Sequence, residues 1–290
     1  MIWLVGYKGM LASEISILLT QHSMECIGTD KEVDITDKTT LQKFYKATFQ
    51  NTRCEWIINC AGYTAVDKAE DDFSMAQKLN ADSLINIAEL AKERGAKLIH
   101  FSTDYVFAGN SDVPYIETDE ADPQSVYGKT KLEGEKNIFT ILQEYYIIRT
   151  AWLYGKAGSN FVSTMLHLMN EKNEIKVVND QRGSPTYAVD LAQAVIKIIT
   201  SNNAKYGIYH YSNDGNISWY DFACEIYKQG KKLGLIKNNC NILPCNSSEF
   251  PQKAKRPSFS LLNKEKIKQN FDLSIPEWKE SLSCYLKELI

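Results

Sequence analysis

The stretch IWLVGYKGMLA, residues 2–12, carries the strongest fold signal in this chain. Ile2–Val5 is a short apolar run that predicts a buried strand, and Gly6, Gly9 and Ala12 follow it at three-residue spacing. A dinucleotide-binding loop needs this arrangement, because a tight turn must bring bare backbone to a pyrophosphate and aim a helix N-terminus at it. Ala12 stands where the pattern prefers glycine, and an ordinary strand-to-helix turn is the alternative. The position of the loop after the first strand favours dinucleotide binding.

The first half of the chain continues this alternation of strand and helix. Four further apolar runs predict buried strands, at residues 24–28, 56–60, 98–102 and 146–150. Residues 74–94 carry apolar side chains at helical spacing, and Gly95 is expected to end that helix. Strands separated by helices require parallel pairing with right-handed crossovers. The sequence therefore predicts an α/β fold with a Rossmann-type doubly wound parallel sheet.

The second half has a looser pattern and is expected to add to this sheet rather than to form an independent domain. It predicts helices at residues 160–170, 188–201 and 218–233, a strand at 208–211, a loop at 238–258 and two terminal helices. We expect a dinucleotide-binding Rossmann domain over residues 1–150, to which the chain returns around 186–212. Residues 151–185 and 213–290 would form a smaller C-terminal substrate-binding region.

Composition argues against several classes of protein. The net charge of −3 provides no basic excess for binding nucleic acid. No stretch approaches the ~18 apolar residues of a membrane span and no basic leader precedes the first strand, so neither export nor membrane insertion is expected. The seven cysteines form no CxxC pair and the four histidines share no spacing. This pattern favours reduced thiols in a cytoplasm and no metal site.

A second motif is VYGKTKLEGEK, residues 126–136. Tyr127 and Lys131 lie four residues apart in a segment predicted to be helical, so their side chains share one face of that helix. A phenol beside an ammonium can be a tuned proton donor or a simple surface pair. The spacing alone does not separate these readings, because Tyr227 and Lys231 repeat it.

The stretch STDYVF separates the two pairs. Thr103 lies at the carboxyl end of the fourth predicted strand, the edge of an open α/β sheet where ligands bind, whereas no such strand end precedes Tyr227. Thr103 can hydrogen bond a carbonyl oxygen, and Tyr127 can give that oxygen a proton. Lys131 is expected to lower the pKa of the phenol below its reference value of about 10 while it holds the nicotinamide ribose. The predicted catalytic residues are therefore Thr103, Tyr127 and Lys131.

The end of the second predicted strand bears on the choice of cofactor. Asp30 lies there, where an acid can bond the adenosine ribose hydroxyls. Lys31 could instead meet a 2′-phosphate, and Asp34 and Ile35 are expected to border the adenine. Because the two charges act in opposite directions, the sequence leaves NADPH and NADH both open.

Several longer motifs occur in one order along nearly the whole chain. They are NCAGYTAVDKAE (59–70), STDYVFAG (102–109), YGKTKLEGE (127–135), RTAWLYG (149–155), NDQRGSPT (179–186) and RPSFSLLN (256–263). Through these motifs, the glycine turn and the Thr, Tyr and Lys set, the chain resembles the extended short-chain dehydrogenases/reductases.

The resemblance implies roles for further residues. Gly9, Met10 and Leu11 would line the cofactor pyrophosphate. The adenosine side and ribose would lie near Ala61, Gly62 and Tyr63, and the last two stand where relatives often have Ala and His. The sugar would contact Thr103, Asp104 and Trp152, with Tyr127 as proton donor and Lys131 as its partner.

Charged residues within these motifs are open to two readings. Arg182 and Arg256 each lie near a proline and could clamp a nucleotide diphosphate bidentately, or they could be surface side chains. Asp67, Lys68 and Glu70 follow a predicted strand and could likewise be a solvated helix start.

Within the family, the chain is most similar to reductases of dTDP-linked sugars. The resemblance implies NADPH- or NADH-dependent reduction of the C4 keto group of dTDP-4-dehydro-L-rhamnose to dTDP-L-rhamnose. The alternatives are a reductase of another nucleotide-linked 4-ketosugar, an epimerase or dehydratase, and a non-catalytic regulatory subunit like methionine adenosyltransferase beta. Some relatives carry Mg²⁺ at a dimer interface, so the resemblance allows a homodimer, but no ligand cluster in the sequence supports a metal.

Overall fold

The strands of this protein form one large sheet and three short ones. A computed structural model describes residues 1–201 and 203–290. Its strands are β1 (Ile2–Val5), β2 (Cys26–Thr29), β3 (Trp56–Asn59), β4 (Lys97–Thr103), β5 (Tyr145–Thr150), β6 (Leu153–Tyr154), β7 (Glu174–Val178), β8 (Arg182–Gly183), β9 (Thr186–Tyr187), β10 (Gly207–Tyr211), β11 (Ile217–Ser218) and β12 (Asn241–Cys245). The strands predicted in the first half agree with these bounds to within two residues.

Helices connect these strands. They are α1 (Met10–Gln21), α2 (Lys38–Thr48), α3 (Val66–Ala69), α4 (Phe73–Gln77), α5 (Ser83–Arg94), α6 (Val126–Ile141), α7 (Phe161–Glu171), α8 (Ala188–Thr200), α9 (Trp219–Lys232), α10 (Glu265–Phe271) and α11 (Trp278–Lys287). Within the described residues, none of these helices is both long and apolar enough to cross a membrane.

The large sheet has six parallel strands in the order β10-β5-β4-β3-β1-β2. From β1 the chain builds outward in both directions, to β2 on one side and to β3 on the other. Ligands of open α/β sheets bind beyond the carboxyl ends of the strands at such a switch point. The predicted Rossmann-type doubly wound parallel sheet is therefore confirmed, and β10 extends it next to β5.

Each face of the large sheet covers a separate hydrophobic core. Alternate residues of β1 point to opposite faces, so Ile2 and Leu4 join the core under α1 and α8, while Trp3 and Val5 join the core under α2 and α5. All four side chains are buried. A strand that is covered on both faces reads as a continuous apolar run, which explains why IWLV predicted it.

The helix predicted over residues 74–94 is interrupted in the structure. Between α4 and α5 the segment Lys78–Asp82 forms a π-helical turn, and Gly95 ends α5 in the left-handed conformation with φ 63°. Apolar side chains recur at helical spacing on both sides of the wider turn, so their periodicity did not reveal it. Such turns are frequent at functional sites.

The predicted loop over residues 238–258 is partly wrong. Asn241–Cys245 forms β12, which pairs in parallel with β7, and a short 3₁₀ turn follows at Ser247–Glu249. Pro244 and the polar segments on both sides of Asn241–Cys245 obscured the strand in the sequence, but β12 lies at an edge, where proline is tolerated. With α7, α9 and α11, this part of the chain encloses a third core that is rich in aromatic side chains.

Candidate active site

The loop after β1 has the geometry of a phosphate-binding turn. Gly6 adopts φ +76°, and a Cβ atom there would lie 2.7 Å from the Ala61 backbone nitrogen, so only glycine fits. Gly9 precedes α1 and provides no side-chain cap for the first N–H groups of that helix. These N–H groups can therefore donate to an anion. The loop brings Gly6, Gly9 and the Ala61 segment together at the switch point.

The residues that follow Gly9 contribute differently to this loop. The side chains of Leu11 and Ala12 are buried in the core between α1 and the sheet, so only their backbone can face a cofactor. The small Ala12 fits this packing, as expected for the third position of the motif. Met10 reaches the RTAWLYG motif, because a Cβ atom on Gly155 would lie 3.1 Å from Met10 Cγ.

Three residues after β2 are predicted to lie near the cofactor, and the structure places only Asp30 where its side chain is half-buried and has no local hydrogen-bonding or core role among the described residues. Asp30 follows directly on β2, beside the loop whose Gly6 N–H donates to the Thr29 carbonyl oxygen at 2.8 Å. Asp34 accepts from the Thr36 hydroxyl at 2.7 Å, and this hydrogen bond lowers its pKa. Ile35 is buried in the core. Of the three, Asp30 therefore has the position expected of a ribose ligand.

Asn80, which the sequence interpretation did not single out, fixes the loop after β3. Its side chain accepts from the Tyr63 N–H at 2.8 Å, and it donates to the Tyr63 carbonyl oxygen at 3.1 Å and to Thr130 Oγ1 at 3.1 Å. A Cβ atom on Gly62 would lie 3.0 Å from Asn80 Oδ1 and 3.9 Å from Lys131 Nζ. Glycine at position 62 thus brings this loop close to Lys131. The π-helical turn that presents Asn80 left no signal in the apolar pattern.

The start of α6 is packed tightly against the end of β4. Ser125 caps the helix by accepting from the Gly128 N–H, and a Cβ atom on Gly128 would lie only 2.2 Å from the Tyr105 carbonyl oxygen. The absence of a side chain at Gly128 therefore lets the first turn of α6 reach the strand end. Through this contact Tyr127 is placed beside Thr103, and its ring packs edge-on against Tyr105 at 5.5 Å.

The side chains of Thr103 and Tyr127 lie close to each other. Thr103 is buried; its hydroxyl donates to Asp104 Oδ1 at 3.0 Å and accepts from the Tyr105 N–H at 3.2 Å. Burial raises the pKa of Tyr127 to about 12, although the hydrogen bond with Thr103 opposes this. The phenol is therefore protonated near neutral pH.

Lys131 reaches the sheet instead of the phenol. Its Nζ atom donates to the Phe101 carbonyl oxygen at 2.6 Å and lies 3.1 Å from Nε2 of His100, a buried residue that the sequence did not reveal as functional. Burial lowers the pKa of Lys131 to about 8. The expectation that Lys131 brings the Tyr127 pKa below about 10 is wrong for this structure, because the desolvation of the phenol dominates.

Asp104 places a carboxyl group next to the two hydroxyls. It is almost fully buried, and burial raises its pKa to about 6. Its Oδ1 atom accepts from Thr103, while its Oδ2 atom has no hydrogen-bond partner among the described residues. A buried carboxylate oxygen of this kind can accept a hydrogen bond from a ligand hydroxyl.

A cavity of about 460 Å³ lies between the end of β4 and the C-terminal part of the chain. Most of its wall is apolar and includes five aromatic side chains, with Lys176 and Arg256 as its cationic groups. Trp152 adopts φ 49° and stacks on Trp219 with ring centroids 3.6 Å apart. The remaining lining residues are Tyr105, Phe161, Thr164, Met165, Leu168, Val177, Val178, Gln181, Phe250, Gln252 and Pro257.

The two predicted arginines have different positions. Arg256 lines the cavity; its guanidinium donates to the Tyr105 hydroxyl at 3.0 Å and forms an ion pair with Asp67. Arg182 is exposed, is not part of the cavity wall, and donates to the Asn216 side chain at 3.1 Å and carbonyl at 2.8 Å. The structure thus brings Trp152 and Arg256 to the cavity but leaves Arg182 outside it.

The acids of the VDKAE stretch connect parts of the site. Asp67 pairs with Arg256 and also accepts from the Ala254 N–H at 3.1 Å. Glu70 accepts from the Val126 N–H at 2.9 Å, at the start of α6. Asp67 and Glu70 therefore hold the C-terminal loop and the helix of Tyr127, which goes beyond a solvated helix start.

Metal-binding side chains are not clustered in this structure. Across residues 1–201 and 203–290, no group of three or more His, Cys, Asp or Glu side chains could hold a metal ion. The cysteines are free thiols, and burial raises the pKa of several, including Cys26, Cys54 and Cys60. Reactive cysteines have lowered pKa values, so these buried thiols lack the character of reactive thiolates.

Comparisons with known proteins agree over the length of the chain. The model of the family described as RmlD substrate binding domain matches residues 1–290. A dTDP-4-dehydrorhamnose reductase from Clostridium acetobutylicum has a similar crystal structure, with a TM-score of 0.92 and 42% identity over 99% of each chain. The corresponding reductase from Bacillus anthracis, solved in complex with NADP, gives a TM-score of 0.91 and 37% identity, covering 99% of this chain and 98% of that one.

A curated relative gives the same result. The dTDP-4-dehydrorhamnose reductase of Escherichia coli K12 is 42% identical over 247 residues, which are 83% of this chain and 82% of that protein. Since the family match spans the whole chain and the similarity to these reductases covers most of each sequence, the chain belongs to the RmlD substrate binding domain family.

Proposed function

We propose that the chain is an NAD(P)H-dependent oxidoreductase that reduces the C4 keto group of dTDP-4-dehydro-L-rhamnose to dTDP-L-rhamnose. The observation that carries the proposal is the position of Tyr127 beside Thr103 at the end of β4, two residues before Tyr105, which lines the cavity. The names of the similar reductases and the NADP bound to one of them support the same substrate and cofactor class.

The residues around the switch point fit a dinucleotide. Backbone N–H groups at the start of α1 would bind its pyrophosphate, and Asp30 would bond the adenosine ribose. A bound nicotinamide supplies the hydride. The proposed cofactor-binding residues are Gly6, Gly9, Met10, Leu11, Asp30, Asp34, Ile35, Ala61, Gly62, Tyr63, Tyr127 and Lys131; Leu11 and Ile35 can take part only through their backbone, because their side chains lie in the core.

Tyr127 is the proposed source of the proton. Because burial raises the pKa of Tyr127 to about 12, the side chain carries its proton at neutral pH and can act as a general acid. Thr103 would hydrogen bond the same ketone oxygen and so orient it towards Tyr127. As negative charge develops on that oxygen, Tyr127 gives its proton and the product is an alcohol. The Lys131 ammonium stabilises the phenolate that remains.

The cavity fits the nucleotide part of the substrate. Stacked aromatic rings can take the base and sugar rings, and the Arg256 guanidinium and Lys176 ammonium can neutralise a diphosphate. The free Oδ2 atom of Asp104 would accept a sugar hydroxyl. The proposed substrate-binding residues are Thr103, Asp104, Trp152 and Arg256. Arg182 could join them only by leaving Asn216.

Different parts of the chain would bind the cofactor and the substrate. Residues 1–150 would bind the dinucleotide together with the returning segment around 186–212, and residues 151–185 and 213–290 would bind the sugar nucleotide. We also propose a cytoplasmic protein with reduced cysteines, in keeping with its free thiols. We further propose that the chain forms a homodimer, and analytical ultracentrifugation measures the mass of the protein in solution.

The substrate proposal is tested by following NADPH and NADH oxidation with a panel of nucleotide-linked 4-ketosugars. We expect dTDP-4-dehydro-L-rhamnose to be turned over with the highest kcat/KM. Reduction of a different ketosugar alone would keep the reaction class and reject the substrate. No turnover of any ketosugar would favour the regulatory-subunit alternative, and a nicotinamide that stays bound through purification would favour an epimerase or dehydratase.

The same assay tests the role of Asp30. A carboxylate near the ribose 2′ position should repel a 2′-phosphate, while Lys31 offsets this repulsion. Asp30→Ala is expected to raise kcat/KM for NADPH relative to NADH by about tenfold, the effect of ~1.4 kcal/mol. An unchanged ratio would mean that Asp30 does not face the ribose.

A further inference from the structure

A buried chain of hydrogen bonds runs from Asn59 through His100 to Lys131. His100 lies on β4 and is 1% exposed. Its Nδ1 atom is 3.1 Å from Asn59 Nδ2 at the end of β3, and its Nε2 atom is 3.1 Å from Lys131 Nζ on α6. The proposed function uses Lys131 but assigns nothing to His100 or Asn59.

The backbone N–H of Ala61 fixes the orientation of the Asn59 amide. This N–H donates to Asn59 Oδ1 at 3.1 Å, so the amide oxygen faces Ala61 and the amide nitrogen faces His100. An amide nitrogen only donates, and His100 Nδ1 must therefore accept. Burial, with a smaller contribution from Lys131 when that side chain is charged, lowers the pKa of His100 well below its ordinary value and outweighs a hydrogen bond with the Asn59 backbone. The ring is neutral, and its one proton lies on Nε2.

This tautomer affects the protonation state of Lys131. A protonated Nε2 atom can only donate, and an ammonium has no acceptor to offer it. A neutral amine can accept from His100 Nε2 and still donate to the Phe101 carbonyl oxygen at 2.6 Å. We propose that His100, held in the Nε2-protonated tautomer by Asn59, is a positioning residue that orients the Lys131 amine and favours its neutral form.

The surroundings of Lys131 include influences that lower its pKa and groups that raise it. Burial lowers the pKa of Lys131, whereas Glu135, one turn further along α6, and Cys60, after β3, raise it. Glu135 is itself bound to Arg149 of β5 at 2.7 Å, and burial raises the pKa of Cys60, so that thiol stays neutral. Glu135 thus supplies the charge that favours the ammonium, and His100 supplies the hydrogen bond that favours the amine.

Nitrogen-15 NMR of the imidazole rings tests the tautomer without any measurement of activity. At about pH 9, above the Lys131 pKa of about 8, His100 should have a bare Nδ1 and a protonated Nε2. His210 is the matched buried control and should have the opposite tautomer, because its Nδ1 lies 3.1 Å from the Tyr115 carbonyl oxygen, which only accepts. A protonated Nδ1 at His100, or a ring that titrates near its ordinary pKa, overturns the proposal.

Two variants assign these signals. His100→Gln should remove the signal of one buried ring and leave that of His210 in place. If His100→Gln does not fold, His210→Gln identifies the remaining buried ring by elimination, since His22 and His167 are exposed.

Carbon-13 NMR of the Lys131 Cε atom tests the effect on the amine. In Asn59→Asp a carboxylate would accept from Nδ1, move the ring proton there and leave Nε2 free to accept from an ammonium. The Lys131 pKa should then rise by about one unit, the effect of a hydrogen bond worth ~1.4 kcal/mol. His100→Gln adds no charge and can turn its carbonyl oxygen to Lys131, so a similar rise there separates hydrogen bonding from the new charge. An unchanged pKa in His100→Gln contradicts the proposal.

The consequence for turnover rests on the proposed function. If the Lys131 ammonium stabilises the phenolate at Tyr127, kcat/KM should fall as the pH rises through the pKa of Lys131, which is about 8. His100→Gln should shift this alkaline limb upward by the same amount as the NMR titration. A uniform loss of kcat/KM with an unmoved limb would indicate a purely structural role and reject positioning. If the NMR results hold while no ketosugar is reduced, the proposed function fails and the assignment of His100 stands.

Discussion

Two tyrosine–lysine pairs with the same spacing have different environments in this protein. Tyr127 and Lys131 lie on α6, where the phenol contacts Thr103 and the buried amine reaches β4. Tyr227 and Lys231 lie on α9, where the phenol oxygen accepts from the Cys240 N–H at 3.4 Å. The Lys231 ammonium donates to backbone carbonyl oxygens in the segment that follows α9, including that of Lys237 at 3.2 Å.

Helical spacing therefore brings a phenol and an amine close together, while the neighbouring strand end provides the groups that make the first pair reactive. The first pair borders the carboxyl edge of a parallel sheet, where hydroxyls and backbone carbonyls converge on a ligand site. The second pair contacts the segment that follows α9, and Tyr227 packs against the third core. We therefore expect matched substitutions in the two pairs to have different consequences for catalysis.

The largest difference is expected for the phenols. Tyr127→Phe removes one hydroxyl and little volume, so folding and cofactor binding should survive, but the ketone oxygen has no proton to take. General acid catalysis is worth about 10²–10⁴ in rate, and kcat should fall by that order. Tyr227→Phe is the matched control and should leave kcat nearly unchanged in the same steady-state assay. A folded Tyr127→Phe enzyme within a few-fold of wild type would exclude the phenol as the acid.

A smaller difference is expected for the amines. Lys131→Met should slow turnover and weaken cofactor binding, because the ribose loses a charged donor worth about 1.5–3 kcal/mol, or roughly 10–100-fold in affinity. Lys231→Met should change neither quantity. Fluorescence titration with NADPH and NADH measures the dissociation constants, and equal affinities in the two variants would remove Lys131 from the cofactor site.

The glycines near each tyrosine extend the comparison to the backbone. A Cβ atom on Gly128 would meet the Tyr105 carbonyl oxygen at 2.2 Å, whereas one on Gly230 would meet Ile236 Cδ1, a side-chain end, at 2.8 Å. Gly128→Ala should displace Tyr127, lower kcat by about tenfold and destabilise the fold by ~1–3 kcal/mol. Gly230→Ala should leave kcat unchanged, because Ile236 can rotate away. Equal kcat values would mean that the first turn of α6 does not set the phenol position.

A further difference is expected in the pH dependence of stability. Burial lowers the pKa of Lys131 from 10.5 to about 8. Between these values the unfolded chain holds a proton that the folded chain has released, so this group makes the free energy of unfolding rise with pH, by up to about 3 kcal/mol. Lys131→Met should abolish this rise and Lys231→Met should retain it. Urea unfolding between about pH 7 and pH 10 measures both slopes, and equal slopes would contradict the burial of the charge.

Much of the fold could be predicted because its signals are local. IWLV is apolar without interruption since both faces of β1 are covered, and Gly6 and Gly9 mark the turn since larger residues do not fit it. The same locality explains the failures. The π-helical turn keeps the apolar pattern of a regular helix, and β12 is short and contains Pro244, which its place at the edge of a small sheet tolerates.

Parts of the candidate site gave no such local signal. Asn80, His100 and Asn59 act through hydrogen bonds to residues distant in the chain, and each alone is a common polar residue in a strand or helix. Arg182 and Arg256 look alike in sequence, yet only Arg256 lines the cavity. Their distinction depends on Asn216 and Asp67, which no spacing rule connects with them.

From the sequence alone followed the alternation of strands and helices in the first half of the chain, the glycine turn after β1 and the position of Tyr127 on the helix after the strand of Thr103. These features could be predicted because backbone geometry, side-chain periodicity and parallel pairing follow from neighbouring residues. Only the tertiary structure decided the charge balance of the site: the pKa of Tyr127 at about 12, that of Lys131 at about 8 and the contact of Lys131 with His100. The physical reason is that desolvation and long-range hydrogen bonds depend on what the whole fold packs around a group.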